Sequence, residues 1–247
     1  MKTVIIIPAR LASTRLPRKL LLPIGEQSVI ERTWRRARAA RAADDVVIAA
    51  DAPEIAEAAQ AFGARVIMTR DDHQSGTERI AEAAQALDAD LIVNIQGDEP
   101  EIDPAHIDAL IALHRAGGNF ASTLACPFPA DIDPANPAAV KAVLGPAIAG
   151  ADASFRAIYF TRAPAPYPRD GGGEYFLHIG AYAFGRDALM RFAATPPGRL
   201  ETIEKLEQLR ILEMGETIAV RVVGRAARGI DTREDYDAAC ARHAARG

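Results

Sequence analysis

The sequence has only two cysteines, Cys126 and Cys240, in 247 residues. Two thiols so far apart offer neither a disulfide framework nor the clustered spacing of a zinc site. No apolar run reaches the ~18 residues that a membrane-spanning helix needs. Met1-Lys2 leads straight into a short apolar stretch, too short for the core of a signal peptide, so a cytoplasmic protein without membrane insertion is expected. An excess of positive charge is missing as well: 29 Lys and Arg stand against 33 Asp and Glu, a net charge of −4. That balance argues against a general nucleic-acid binder, whose surface is basic. Neither GxGxxG nor GxxxxGK[ST] occurs, so the dinucleotide-binding and P-loop fingerprints are both lacking.

What is there begins with Val4-Ile5-Ile6-Ile7, which has the β-branched content of a buried parallel strand. It runs into Pro8-Ala9-Arg10-Leu11-Ala12-Ser13-Thr14-Arg15-Leu16-Pro17-Arg18-Lys19. Small residues let backbone N–H groups approach an anion, while Arg10, Arg15, Arg18 and Lys19 supply charge. In an acidic protein this local set of cations points to a small anionic ligand, such as a polyphosphate.

Strand and helix then alternate with short connections. Strands are expected at 46–50, 65–68, 91–95 and 120–126. Ser28 with Glu31 reads as a capping box for a helix to about Arg41, with Trp34 on its apolar side and its arginines in water. Pro53 opens a helix ended by Gly63, Thr77 starts another, and Asp103-Pro104 begins a third. This alternation predicts an α/β fold with a mostly parallel central sheet, helices on both faces, and ligands at the carboxyl ends of the strands. The functional loops are then 8–19, 51–53, 69–76 and 96–100. The second half is less regular. Strands are expected at 153–160, 176–184 and 217–223, and an amphipathic helix over 201–214 with Ile203, Leu206, Leu209 and Leu212 inward. Thr232 with Asp235 caps a last helix. The chain reads as a single domain, 1–247, with an embedded subregion at roughly 155–200.

Two isolated acids sit where a hard cation could use them. Asp98, in Gln96-Gly97-Asp98-Glu99, ends the fourth strand, and Asp231 lies in Gly229-Ile230-Asp231-Thr232. Mg²⁺ takes one or two carboxylates together with substrate phosphates, although an Asp in such a turn is also an ordinary turn residue. Ser75-Gly76 stands at a helix start, where N–H groups can read a base or sugar. His178 and Tyr182 fall on one side of a strand, and Glu204 and Gln208 on one helix face; core and solvent roles are the bland alternatives for these pairs.

Together these stretches resemble the CMP-sugar synthetases, and among them the 3-deoxy-manno-octulosonate (KDO) cytidylyltransferase family of lipopolysaccharide assembly. The matching words are PARxxSTRLPxK at 8–19, DHQSGTER at 72–79, NIQGDEP at 94–100, NPxxVK at 136–141 and YFTR at 159–162. HIGAY at 178–182, EKLEQLR at 204–210 and GIDTxED at 229–235 complete them, in the family's order. The resemblance implies a Rossmann-like nucleotidyltransferase fold, CTP and KDO as substrates, Mg²⁺ as cofactor, and a homodimer built from the second-half subregion. It implies that Ala9, Arg10, Ser13 and Lys19 hold CTP, that Ser75 and Gly76 lie near the cytosine or ribose, and that Asp98 and Asp231 bind Mg²⁺. Arg10, Lys19 and Asp98 would be catalytic, and Arg15, Gln96, His178, Tyr182, Glu204 and Gln208 would face the sugar acid. The implied reaction is in-line attack of the anomeric hydroxyl on the α-phosphorus of CTP. Departures exist: the family often has Gly-Lys-Pro-Leu where this chain has Arg18-Lys19-Leu20-Leu21, and Ala-Thr-Asp where it has Ala49-Ala50-Asp51. A cytidylyltransferase for a sialic-acid-type sugar, a non-catalytic nucleotide-sugar sensor and an NAD-dependent dehydrogenase are the alternative readings.

Overall fold

Residues 1–245 are described by a computed structural model, in which the chain forms two compact units. The first comprises residues 1–108 and the segment from 227 onward; the second is 109–226. The second unit is wider than the expected embedded segment at 155–200.

In the first unit β1 (Thr3–Ala9) is buried along its whole length. A two-residue ribbon, β2 (Pro23–Ile24) and β3 (Gln27–Ser28), precedes α1 (Val29–Arg38), whose Ser28 cap accepts the Glu31 N–H at 3.3 Å. Trp34 packs against Phe62 with ring centroids 5.3 Å apart, and Thr33 is fully buried with its hydroxyl 2.9 Å from the Gly97 carbonyl oxygen. The arginine face meets water at Arg35, Arg36 and Arg38 as expected, while Arg32 is half-buried, and several of these side chains also take partners. Arg32 donates to Ile24 O at 2.9 Å, Arg36 to Ile102 O at 2.7 Å, and Arg35 pairs with Glu31. Next come β4 (Asp45–Ala50), α2 (Pro53–Ala61), β5 (Arg65–Met68), α3 (Gly76–Gln85) and β6 (Leu91–Asn94). Their strands lie side by side in the order β5-β4-β1-β6, every neighbour parallel. Because Ile5, Ile6, Ile7, Val47, Ile48, Ile92 and Val93 are all inaccessible to solvent, this parallel core is dry.

Within α4 (Pro104–Arg115) the chain passes to the second unit, which holds β7 (Ala121–Pro127), β8 (Lys141–Ala147), β9 (Ser154–Thr161) and β10 (Phe176–Gly185). After α5 (Arg186–Ala194), α6 (Arg199–Glu204) and α7 (Leu209–Glu213) comes β11 (Ile218–Val222). The strand order is β10-β7-β11-β9-β8, and β8 pairs back with β10 at Lys141–Leu177, closing the five strands into a circuit. Only β7 and β11 run parallel here. The expectation of a mostly parallel sheet is therefore met in the first unit and fails in the second, so the sheet is mixed. Strand β8 is not among the expected strands, and it contains Gly145 and Pro146, residues that strand interiors seldom hold.

The expected helix over 201–214 is also two helices. Lys205 adopts a left-handed conformation (φ 53°), which ends α6 and restarts the chain in a new register before α7. Leu206, Leu209 and Ile211 are consequently buried, whereas Ile203 is 64% exposed. Finally α8 (Arg233–Ala244) returns to the first unit, with the expected box: Thr232 Oγ1 accepts the Asp235 N–H and Asp235 accepts the Thr232 N–H. Among the described residues no helix is long and apolar enough to cross a membrane.

Candidate active site

The carboxyl ends of β1 and β6, the N-terminus of α3 and the turn before α8 surround a pocket of about 220 Å³. Ala9, Arg10, Ser13, Arg15, Lys19, Ser75, Gly76, Gln96, Asp98 and Asp231 all line it. Every nucleotide and metal residue expected from the sequence is thus brought to one place, along with two of the six expected sugar contacts.

Lys19 is the centre of the arrangement. Its Nζ lies 2.5 Å from Asp98 Oδ2 and 3.3 Å from Asp231 Oδ1, and Arg15 Nη2 is 3.0 Å from the same Asp231 oxygen. Two acids separated by 133 positions (231 − 98) therefore converge on one cation. The backbone makes this possible: Ile230 N–H donates to Asp98 O at 2.9 Å, which docks the late turn onto the end of β6. Gly97 is needed for the same closeness, because a Cβ there would stand 2.9 Å from the Pro8 carbonyl oxygen. Lys19 itself opens a single 3₁₀ turn, Lys19–Leu21, whose preceding residue Arg18 is left-handed (φ 54°). A glycine there would fit that conformation without strain.

Glu99 adds a carboxyl that was not singled out beforehand. Burial, followed by the charges of Asp98 and Asp231, pushes its pKa up to about 8 against the opposing pull of Lys19. The third carboxyl thus stays protonated at neutral pH beside the two paired acids. Among the described residues no cluster of three or more His, Cys, Asp or Glu side chains is arranged to hold a metal ion by itself. Two carboxylates converging on one positive charge nonetheless suit a hard divalent cation that draws its other ligands from phosphate and water.

On the other wall Ser75, not Thr77, caps α3, accepting the Glu78 N–H at 3.2 Å, while Thr77 is buried. His73 is nearly buried, its Nε2 against the Glu82 carboxylate. A cationic loop, a helix N-terminus and a pair of acids at the edge of a parallel sheet have the makings of a polyphosphate site.

The remaining expected residues belong to the second unit. His178 and Tyr182 would be about 13 Å apart at i and i+4 of a regular strand, yet their ring centroids are 5.5 Å apart. A bulge between Ile179 and Tyr182 brings them together. His178 Nε2 lies 2.9 Å from Thr123 Oγ1, and burial drives its pKa down to about 3, so the ring is neutral. Burial also raises the Tyr182 phenol well above its ordinary value. The Glu204 carboxylate accepts Thr161 Oγ1–H at 2.8 Å and the Arg162 N–H at 3.0 Å, stapling the end of β9. Gln208 is buried with Nε2 unpartnered, and the break at Lys205 removes the single helix face that it was to share with Glu204.

A family model described as cytidylyltransferase matches residues 4–218. The 3-deoxy-manno-octulosonate cytidylyltransferase of Rhodopirellula baltica is 46% identical over 254 residues, covering 98% of each chain. That of Acidobacterium capsulatum is 46% identical over 235 residues, covering 94% of this chain and 93% of its own. A solved structure of CMP:2-keto-3-deoxy-manno-octonic acid synthetase complexed with CTP has a TM-score of 0.93 at 36% identity, covering 100% of both chains. The 4-diphosphocytidyl-2C-methyl-D-erythritol synthase of Anaerococcus prevotii, at 16% identity and a TM-score of 0.63, shares the fold alone. The fold is thus that of an α/β nucleotidyltransferase. The chain belongs to the 3-deoxy-manno-octulosonate cytidylyltransferase family.

Proposed function

We propose that this protein transfers the cytidylyl group of CTP to 3-deoxy-manno-octulosonate, giving the CMP-sugar and pyrophosphate. The observation that carries this reading is the convergence of Lys19, Asp98 and Asp231 in a pocket also lined by Arg10, Ser13, Ser75 and Gly76. Two relatives at 46% identity bear that activity in their names, and the neighbour at 36% identity was solved with CTP. In the proposed reaction the sugar's anomeric hydroxyl attacks the α-phosphorus and gives up its proton to water, the bond from that phosphorus to the oxygen bridging to the β-phosphorus breaks, and pyrophosphate departs. Alignment and neutralisation of charge on the phosphate oxygens govern such transfers. Arg10 and Lys19 supply that charge, and Ala9, Ser13, Ser75 and Gly76 shape the nucleotide's seat. A magnesium ion, when bound, supplies further charge neutralisation and lowers the pKa of the attacking hydroxyl, and Asp98 and Asp231 would hold it. Arg15 and Gln96 are the pocket's proposed sugar contacts, and the proposal keeps His178, Tyr182, Glu204 and Gln208 in that role.

The same proposal includes a cytoplasmic homodimer that serves lipopolysaccharide assembly. Cys126 and Cys240 are both free thiols, as a reducing compartment requires. Ile158, Tyr167 and Ile203 are 60%, 84% and 64% exposed, apolar area that self-association would cover. The test is pyrophosphate release from CTP in four parallel reactions: with KDO, with its 8-amino analogue, with N-acetylneuraminate and with no sugar. Release that depends on KDO is expected. Release with N-acetylneuraminate alone would replace the assigned sugar, and CTP binding without release in any reaction would leave the chain a sensor.

A further inference from the structure

Asp51 stands at the carboxyl end of β4, outside the set of residues assigned above, and it holds both sides of Arg10. Its own N–H donates to Ala9 O at 3.2 Å, and its Oδ1 accepts the Leu11 N–H at 2.9 Å. The other carboxylate oxygen takes Arg79 Nη2 at 3.3 Å, with side chains only 9% and 4% exposed. Arg79 in turn donates through Nη1 to Thr69 Oγ1 at 2.7 Å and to Arg70 O at 2.9 Å, where the chain leaves β5 for the 72–76 loop. It also emerges from α3 and lines the pocket beside Ser75 and Gly76. One buried ion pair therefore joins the cationic loop after β1 to the loop that enters α3.

We infer that Asp51 and Arg79 are positioning residues for the nucleotide: together they set the spacing between the cations that grip phosphate and the helix start on the opposite wall. The inference rests on the proposed CTP-dependent activity. A loop of small residues and flexible cations has no rigidity of its own, and orientation is where catalysis of this kind gains most. With Ala9 tied to the Asp51 main chain and Leu11 to its carboxylate, the backbone of Arg10 is held between two fixed neighbours. A buried guanidinium locked by three acceptors keeps that side chain from drifting. Asp51→Asn retains an acceptor for the Leu11 N–H but removes the charge that faces Arg79. Arg79→Lys retains the charge but cannot span three acceptors in a plane.

Calorimetric titration with CTP alone, followed by steady-state kinetics, tests the pair. Asp51→Asn and Arg79→Lys are each expected to weaken CTP binding at least tenfold and to raise KM for CTP in step. KM for KDO is expected to stay within twofold. The double variant is expected to be no worse than the weaker single, because both changes break one linkage. CTP affinity within twofold of the parent in both folded variants overturns the inference. So does failure of both variants to fold, which assigns the pair to the core, and so does an equal rise in KM for both substrates. Should the parent bind CTP but transfer nothing to KDO, the activity is misassigned while the titration still decides the clamp.

Discussion

Lys19 rests between Asp98 and Asp231, and single substitutions around it separate charge from shape. Asp98→Asn keeps the size of the side chain and removes its charge, so turnover is expected to fall by at least ~100-fold, roughly 3 kcal/mol of barrier. Pyrophosphate release at saturating CTP and magnesium measures it, and near-normal turnover would dismiss Asp98 as a metal ligand. Arg18 lies one residue earlier in a left-handed conformation that a side chain resists. Of the four cations expected to meet the anion, Arg18 alone does not line the pocket, so Arg18→Gly is expected to stabilise the chain by about 1 kcal/mol, read as a rise in the denaturation midpoint with CTP affinity little changed. A stability loss would mean that Arg18 makes contacts worth more than its strain. Asp98 could be suspected from its place after a strand, and Asp231 from its place in the turn before a helix. Nothing local marked Glu99, whose raised pKa depends first on burial and then on two acids meeting in space.

The elements of the first unit were legible because each carries its own signals. Ser28, Pro53, Pro104 and Thr232 mark helix starts where they were expected, and β-branched runs make the buried strands. The second unit's elements depend on contacts made at a distance. Lys141 is fully buried at the start of β8, and its ammonium donates to Asn136 O, Ala139 O and Arg162 O at 3.0, 2.7 and 2.6 Å. Desolvation lowers its pKa, but three carbonyl partners make a buried ammonium tolerable. This one side chain gathers the proline-broken loop before β8 and the end of β9. Lys141→Met keeps the bulk and strands the carbonyls, so a loss of about 1–3 kcal/mol is expected in chemical denaturation. An unchanged midpoint would show that those carbonyls are satisfied without it. The motif NPxxVK was visible in the chain, but its lysine's partners were not.

For the molecule as a whole, three titrating groups set opposing slopes of stability with pH. His114 and His178 have their pKa values lowered from 6.5 to about 4 and about 3 by burial. The unfolded chain takes up those protons near pH 6.5 and the folded chain does not, so stability is complete above 6.5 and is lost as pH falls toward 3. Glu99, raised from 4.5 to about 8, acts the other way: its contribution is full below 4.5 and disappears as pH rises to 8. Each group contributes a slope of up to ~1.4 kcal/mol per pH unit. Two histidines outweigh one glutamate below 6.5, so these groups place the maximum near that value. Melting temperature against pH is expected to peak there for the parent and to stay level from 6.5 to 8 in Glu99→Gln. A decline of the same size in that variant would remove Glu99 as its source.

Sequence alone determined the alternation of strand and helix in the first half, the cationic turn after β1 and the two acids in turns between elements, since each rests on neighbours a few positions apart. Only the tertiary structure decided that Asp98 and Asp231 share one cation and that Asp51 and Arg79 hold the cationic turn. It alone decided that the second unit pairs mainly antiparallel and that a bulge brings His178 to Tyr182. These features depend on backbone segments docking across many tens of residues, and local periodicity carries no record of which distant carbonyl or carboxylate a side chain will meet.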